Sequence, residues 1–306
     1  MKKEALYLVL LIFSFFPKAW AQTYNSLQIN GVDDLKELFS YSSNPLPIIC
    51  GHRGGINENF PENSIAAFEN TLSKIPAFFE VDPRLTKDSV VVVFHDAKLD
   101  NKTTGTGNLS DYNYEDLQQF NLKDSKGKVT DAKIPSIDEV FEWAKEKTVL
   151  MLDKKNVPLP LLLEKINQHN AESYVLVSTY KPQEAEFYHK RNKNIMFEAF
   201  IKSEADLKAY ENTGIPWENI VAYVGQPKKL NLYKLLHEKG VMCIAYTAPK
   251  LEKIKDKEER LESYRTTIIE GADILLANDV FEVYEAVQPL FLKTDQKKEF
   301  IVQKSF

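Results

Sequence analysis

Three short segments carry most of the chemistry: Gly51-His52-Arg53-Gly54, Glu80-Val81-Asp82 and Phe94-His95-Asp96, all within fewer than fifty residues. Together they hold what cleavage of a phosphodiester demands. Two carboxylates can hold a divalent cation, an arginine can fork onto phosphate oxygens, and two imidazoles can divide the proton transfers. A fourth segment adds to the set. Met151, Asp153 and Lys155 alternate onto one face of an apolar run, which brings a third acid and a second cation. Glu80, Asp82 and Asp153 are oxygen donors only, a set that suits Ca²⁺ or Mg²⁺, with Mn²⁺ a third choice, over zinc or copper.

These groups need a scaffold that gathers them. Apolar, β-branched runs predict strands at 46–51, 78–82, 148–153, 174–179, 194–200, 219–224, 241–246 and 272–277. Amphipathic stretches between them predict helices at Ser64 to Ile75, Leu159 to His169, Glu184 to Arg191, Leu230 to Lys239 and Glu258 to Ile269. Pro61-Glu62-Asn63-Ser64 is a start signal for the first of these. Eight strands alternating with helices predict a parallel (β/α)₈ TIM barrel, an α/β fold, with a doubly wound open sheet as the alternative. Barrel sites lie at the C-terminal ends of strands. His52, the Glu80/Asp82 pair and the Asp153/Lys155 pair all fall there, on three successive barrel strands.

Val90 to Phe94 is a ninth apolar run, and only Thr86-Lys87-Asp88-Ser89 separates it from the strand before. No crossover fits in so short a link, so the two must form an antiparallel hairpin after the second strand. A turn centred between Lys87 and Asp88 places Glu80 opposite His95 and Asp82 opposite Val93. Cross-strand partners share a face, so this register delivers His95 beside Glu80, and a slip of one residue would send it to the other face.

Each of these residue types also has an ordinary structural use. A lone acid is usually a solvated strand end, and a lone histidine usually a satisfied structural group. His169, His189 and His237, in polar helical stretches, are read that way. Arg53 and Lys155 can pair with the neighbouring carboxylates as well as with phosphate. Gly54 and Gly55 serve a turn or a close backbone approach.

The whole chain has 306 residues, 43% hydrophobic and 27% charged, with a net charge of −5. Lys2 and Lys3, the apolar run Leu6 to Phe16 and Ala19-Trp20-Ala21 read as an export signal, residues 1–21, cut before Gln22. The eleven-residue run is well short of the roughly 20 residues that span a bilayer, and no cysteine follows the cut for a lipid. We therefore expect a secreted or periplasmic protein without a stable membrane anchor. Removing that segment takes away three lysines and one glutamate and leaves 285 residues at −7. So acidic a chain without a basic stripe is a poor binder of nucleic acid. Cys50 and Cys243 sit in apolar, strand-like runs and are read as buried, unpaired thiols. The expected organisation is a signal peptide 1–21, a polar lead-in 22–44 with a helix at Val32 to Leu38, a barrel 45–292, and a weakly patterned, Lys-rich tail 293–306. The extra length falls in the turn-rich stretch Ala97 to Thr148.

His52-Arg53-Gly54, Pro61-Glu62-Asn63-Ser64, Glu80-Val81-Asp82, Thr86-Lys87-Asp88, Phe94-His95-Asp96 and Lys102-Thr103-Thr104, in this order and spacing, resemble the glycerophosphodiester phosphodiesterases of the PLC-like phosphodiesterase barrel group. The resemblance implies a catalytic pair His52 and His95, phosphate contacts from Arg53 and Lys155, and metal ligands Glu80, Asp82 and Asp153. It also implies hydrolysis of a small-molecule glycerophosphodiester to an alcohol and glycerol phosphate. We take His52 as base and His95 as acid. Asp153 stands where the family usually has Glu, Lys154 replaces an apolar residue, Tyr246-Thr247 stands for Trp-Thr, and Asn278-Asp279 for Thr-Asp. Two other readings compete: a phospholipase-like hydrolase of lipids or glycerol-phosphate polymers, and a non-catalytic phosphodiester-binding protein. Oligomeric state and the alcohol released are not legible.

Overall fold

The computed structural model describes residues 22–226, 229–291 and 297–305. The segment read as an export signal lies outside them. The strands in chain order are β1 Thr23–Leu27, β2 Ile48–His52, β3 Phe78–Val81, β4 Pro83–Leu85, β5 Val91–Val93 and β6 Leu150–Leu152. They continue as β7 Val175–Thr179, β8 Met196–Phe200, β9 Ile220–Gly225, β10 Cys243–Tyr246, β11 Ile274–Ala277 and β12 Ile301–Ser305. Eight of them, β2, β3 and β6 to β11, close in that order into a parallel barrel, β11 pairing back onto β2. This is the expected (β/α)₈ architecture. The helices fall close to their expected positions: Ile65–Leu72, Leu159–Gln168, Pro182–His189, Leu230–His237 and Lys257–Ile269.

Period-two alternation sorts the strand residues into two apolar layers. Phe79, Val81, Leu150, Leu152, Val175, Val177 and Phe197 point outward and pack beneath the helices. Cys50, Phe78, Met151, Leu176, Met196, Val221, Ile244 and Ile274 fill the barrel interior. Both cysteines are buried and free.

The lower end of the barrel is closed by the two outermost segments. Leu27, Leu35, Leu38, Phe39 and Phe300 join the interior layer from below. The helix Val32–Leu38 coincides with its expected position. Beyond that, the polar lead-in and the Lys-rich tail hold structure that sequence patterning did not reveal: β1 and β12 pair antiparallel, Thr23 with Ser305 through Leu27 with Ile301.

The hairpin of β4 and β5 is present, but its register differs by one residue from the sequence expectation. Pro83 pairs with Val93 and Leu85 with Val91, and the Phe94 amide donates to the Asp82 carbonyl at 2.9 Å. Asp82 is thus opposite Phe94, not Val93, and the same count places His95 opposite Val81, not Glu80. The physical reason is the turn: Thr86 bonds back to Val90, so the loop is the three residues Lys87-Asp88-Ser89, with Ser89 left-handed at φ 65°, and it centres on Asp88. β3 ends at Val81, and Pro83, which has no amide to donate, begins a separate strand outside the barrel ladder. The Ala97 to Thr148 excursion carries its own small core of Leu99, Leu109, Leu117, Leu122 and Ile134 against Val92 and Phe94. It returns through the helix Ile137–Ala144, whose Ser136 and Glu139 form a capping box.

Candidate active site

β2, β3 and β6 run side by side in the barrel, so their C-terminal ends share one sector of its mouth. Oxygens of Glu80, Asp82 and Asp153 all come within 4.8 Å of one another. Glu80 and Asp82 are buried and Asp153 is partly exposed. Three carboxylates so close repel one another unless cations intervene. Lys155 supplies one, pairing with Asp153 and lying 2.8 Å from Asp82 Oδ1. Arg53 supplies another. Its backbone amide donates to Glu80 Oε2 at 3.1 Å, its Nε lies 3.5 Å from Asp82 Oδ2, and its far end meets Glu62 at 3.0 Å. Lys102 pairs with the other Glu62 oxygen at 3.0 Å.

The electrostatic balance differs between the two buried acids. Burial pushes the Glu80 carboxyl well above the usual carboxylate range, and the charges of Asp82 and Asp153 add to it. Burial also pushes Asp82 upward, but Lys155, Asn63 and Arg53 together hold it below its ordinary value. Burial opposes the charge on Lys155, yet Asp82 and Asp153 keep its ammonium more firmly protonated than usual.

The donor set fits a hard divalent ion: three carboxylates and neither sulfur nor nitrogen. One oxygen asks for such a partner. Asp82 Oδ1 is buried, and the one countercharge facing it among the described residues is the Lys155 ammonium at 2.8 Å, a place a divalent ion would share. Three clustered carboxylates carry more negative charge than this one ammonium offsets, and a divalent cation would balance the rest.

His52 ends β2 with its ring partly buried. Its Nδ1 lies 2.7 Å from Asn278 Oδ1, and its Nε2 lies 3.9 Å from Glu80 Oε2. With an amide oxygen as partner, Nδ1 carries the proton and Nε2 keeps its lone pair toward the mouth. Burial and the Arg53 charge lower the affinity of this ring for a second proton. His95 follows β5, one third exposed, with Nδ1 2.8 Å from Asp96 Oδ1. Its backbone carbonyl accepts from Arg84 Nε at 2.7 Å. The expected contact of His95 with Glu80 is thus replaced by the Asp96 pair.

Several groups at the mouth escaped the sequence reading. Asn278 orients His52. Asn63 grips Asp82 through its side chain at 2.6 Å. Glu198, on β8, is buried beside Ser178, whose hydroxyl donates to it, and burial pushes its carboxyl up to about 8. Tyr180 donates its hydroxyl to Asp153. Lys154 turns away to pair with Glu184.

The glycines after His52 are set by the turn. Arg53, Gly54 and Gly55 all have positive φ, and a Cβ on Gly54 would meet Phe68 at 2.7 Å. This tight, left-handed turn is what aims the Arg53 amide at Glu80. The remaining histidines belong to the outer helices. His169 pairs with Asp138 at 2.7 Å, and His237 with Asp273 at 2.9 Å. Asp273 also accepts from the Cys243 amide at 2.7 Å, and Tyr41 stacks on His237 at 3.6 Å. The His237, Cys243 and Asp273 cluster at the N-terminal strand ends is therefore bonded within itself.

Fold and mouth together define a (β/α)₈ barrel enzyme. Residues 52–265 match the model of the glycerophosphoryl diester phosphodiesterase family, and the chain belongs to that family. The solved structure of a glycerophosphoryl diester phosphodiesterase from Parabacteroides distasonis is 44% identical, with a TM-score of 0.89 over 92% of this chain and 100% of that one. A glycerophosphodiester phosphodiesterase of Bacillus altitudinis is 33% identical over 46% of this chain and 61% of its own length. The phosphodiesterase of Oleispira antarctica, solved with the product sn-glycerol-3-phosphate, shares the fold at 20% identity, with a TM-score of 0.63 over 79% of this chain and 97% of that one. The chain matches less than two-thirds of the length of the first curated relatives, from 57% to 61%.

Proposed function

We propose that the protein hydrolyses glycerophosphodiesters, releasing an alcohol and glycerol phosphate. One observation carries this reading: His52, with its proton fixed on Nδ1 by Asn278, presents Nε2 beside the Glu80, Asp82 and Asp153 group. The 44% identity to the Parabacteroides distasonis protein across its full length supports it. The product found in the Oleispira antarctica enzyme makes sn-glycerol-3-phosphate the natural product to look for first.

In this mechanism Glu80, Asp82 and Asp153 would hold one divalent cation, Ca²⁺ or Mg²⁺, with Mn²⁺ as a third choice, and the chemistry supplied there would be Lewis-acid withdrawal of phosphate charge. His52 Nε2 accepts a proton from the attacking nucleophile, His95 gives a proton to the departing alkoxide, and water supplies the oxygen that the phosphate gains overall. Arg53 and Lys155 are tied to the acids and offer their remaining N–H groups to phosphate oxygens. Asp96 holds the His95 ring through its Nδ1. The protein acts outside the cytoplasm after cleavage before Gln22, as its N-terminal pattern implies, and cell fractionation with mass determination of the mature N-terminus tests that.

The decisive experiment is a panel of soluble glycerophosphodiesters assayed with Ca²⁺, Mg²⁺ and Mn²⁺ in turn, before and after chelation. Release of glycerol phosphate that stops on chelation and returns with one of these ions supports the reading. Tight binding of diesters without turnover, with every ion supplied, would leave only a binding protein.

A further inference from the structure

Beside the acid group, the mouth opens into a second hollow of about 590 Å³. Lys202, Tyr223, Gln226, Lys229, Tyr246 and Lys250 form most of its wall. It adjoins the catalytic groups on two sides. The Tyr246 ring lies 5.2 Å from the His52 ring. Tyr223 stacks on Phe200 at 4.3 Å, Phe200 packs on Tyr180 at 4.1 Å, and Tyr180 donates to Asp153. A diester held over the acids by its phosphate has one arm within reach of this hollow.

The hollow is cationic in an otherwise acidic protein. Among the described residues it is lined by three lysines and no acid, and the carboxyl that acts on Lys202 is Glu198, buried behind it. Elsewhere Lys154 pairs with Glu184 and Lys239 with Glu211. Among the described residues, none of Lys202, Lys229 and Lys250 makes an ion pair with a carboxylate. Three unneutralised ammonium groups around one cavity repel one another, and an anion placed between them relieves that repulsion.

The aromatic wall excludes the opposite charge. Choline-like groups are held over the faces of aromatic rings. Here the Lys202 ammonium already lies 4.7 Å from the Phe200 ring centre and 5.0 Å from that of Tyr223. A quaternary ammonium would have to displace it and would then face Lys229 and Lys250.

We infer that this hollow receives the alcohol arm of the diester and selects alcohols that carry a further anionic group, such as a second phosphate, over choline or ethanolamine. The inference rests on the phosphodiesterase reading of the neighbouring mouth. Ammonium groups donate charge-assisted hydrogen bonds to the extra phosphate, and salt screens the attraction because the hollow is open to solvent.

The test compares kcat/KM for glycerophosphoinositol 4-phosphate, glycerophosphoinositol and glycerophosphocholine at low and at physiological ionic strength. The expected preference for the phosphorylated over the plain inositol diester is on the order of tenfold at low salt, shrinking as salt rises. Lys202→Gln, Lys229→Gln and Lys250→Gln each narrow that ratio, and the triple variant brings it close to one. Hydrolysis of all three diesters with a ratio of one or less overturns the inference while the phosphodiesterase reading stands. So does a ratio that ignores salt and the triple substitution. Hydrolysis of none of the three, with each ion supplied, overturns both. The wild-type ratio and its salt dependence need no variant, so a poorly folding mutant does not remove the test.

Discussion

Asn63 and Asp82 hold each other twice. The Asn63 amide donates to Asp82 Oδ2 at 2.6 Å, and Asn63 Oδ1 accepts from the Asp82 backbone N–H at 3.2 Å. Asn63 is buried and takes a left-handed backbone at φ 56°, which asparagine tolerates better than most residues. The clamp fixes the carboxylate at the point where the chain leaves the barrel strand. Asn63→Ala should leave a stable barrel with a loosened Asp82. We expect cation affinity or turnover to fall about 10- to 100-fold, as when groups that orient metal ligands are removed. Calorimetric titration with Ca²⁺ and Mn²⁺ reads the affinity, and unchanged affinity together with unchanged turnover would show that the clamp is dispensable.

The two imidazoles divide into separable roles. His52→Ala and His95→Ala should each lower turnover by about 10²- to 10⁴-fold. Glu80→Ala should do the same through loss of the cation, and the chelated wild-type protein should resemble it. An activated diester with a good leaving group separates the histidines, because it scarcely needs an acid. His95→Ala should recover most of its rate on such a substrate and His52→Ala should not. Equal rescue of both would remove the base and acid assignment.

Glu198 gives the fold a pH dependence of its own. Its folded carboxyl titrates at about 8, against an ordinary value of 4.5, and burial is the main cause. The folded state therefore holds a proton between these values and the unfolded chain does not. Stability from this group is complete below about pH 4.5 and is lost as pH rises towards 8. Glu198→Gln lacks the titration. Urea unfolding of both proteins in chelator should show the wild type losing ground to the variant between pH 5 and 8, by a few kcal/mol at most. Parallel stability curves would contradict this.

Phe300 plugs the lower end of the barrel and is 6% exposed. Its truncation to alanine opens a cavity under the interior layer. The expected cost is about 3–5 kcal/mol, read from the urea midpoint at unchanged slope. Diester turnover at saturating substrate should stay near wild type at temperatures where the variant is folded, since the site lies at the other end. A cost well under 1 kcal/mol would mean that the plug is superficial.

The sequence disclosed the barrel because fully buried parallel strands are written as continuous apolar runs, and the crossover helices as amphipathic ones. His52, Glu80, Asp82 and Asp153 were legible for a related reason: each interrupts such a run at its end. Glu198 sits inside its run, between Phe197 and Ala199, where a lone acid draws no attention. Its signal was its parity with Met196, which puts a carboxylate in the barrel interior. The hairpin was legible from loop length, but its register was not, because a left-handed Ser89 makes a three-residue turn centred on Asp88 and serine does not announce that conformation. Asn278 acts through one side-chain hydrogen bond to a distant segment and Asn63 through two, and no local pattern encodes those. The same is true of β1 and β12. Their pairing joins residues 23–27 to residues 301–305, and neither stretch has strand character strong enough to stand without the other.

That pairing also imposes an order of events. β1 must wait for β12, so the floor of the barrel closes only after every barrel strand has been made. Until residues 301–305 emerge, Leu27, Leu35 and Phe39 have no Phe300 to close over them. The interval leaves a greasy, open-bottomed intermediate exposed to aggregation.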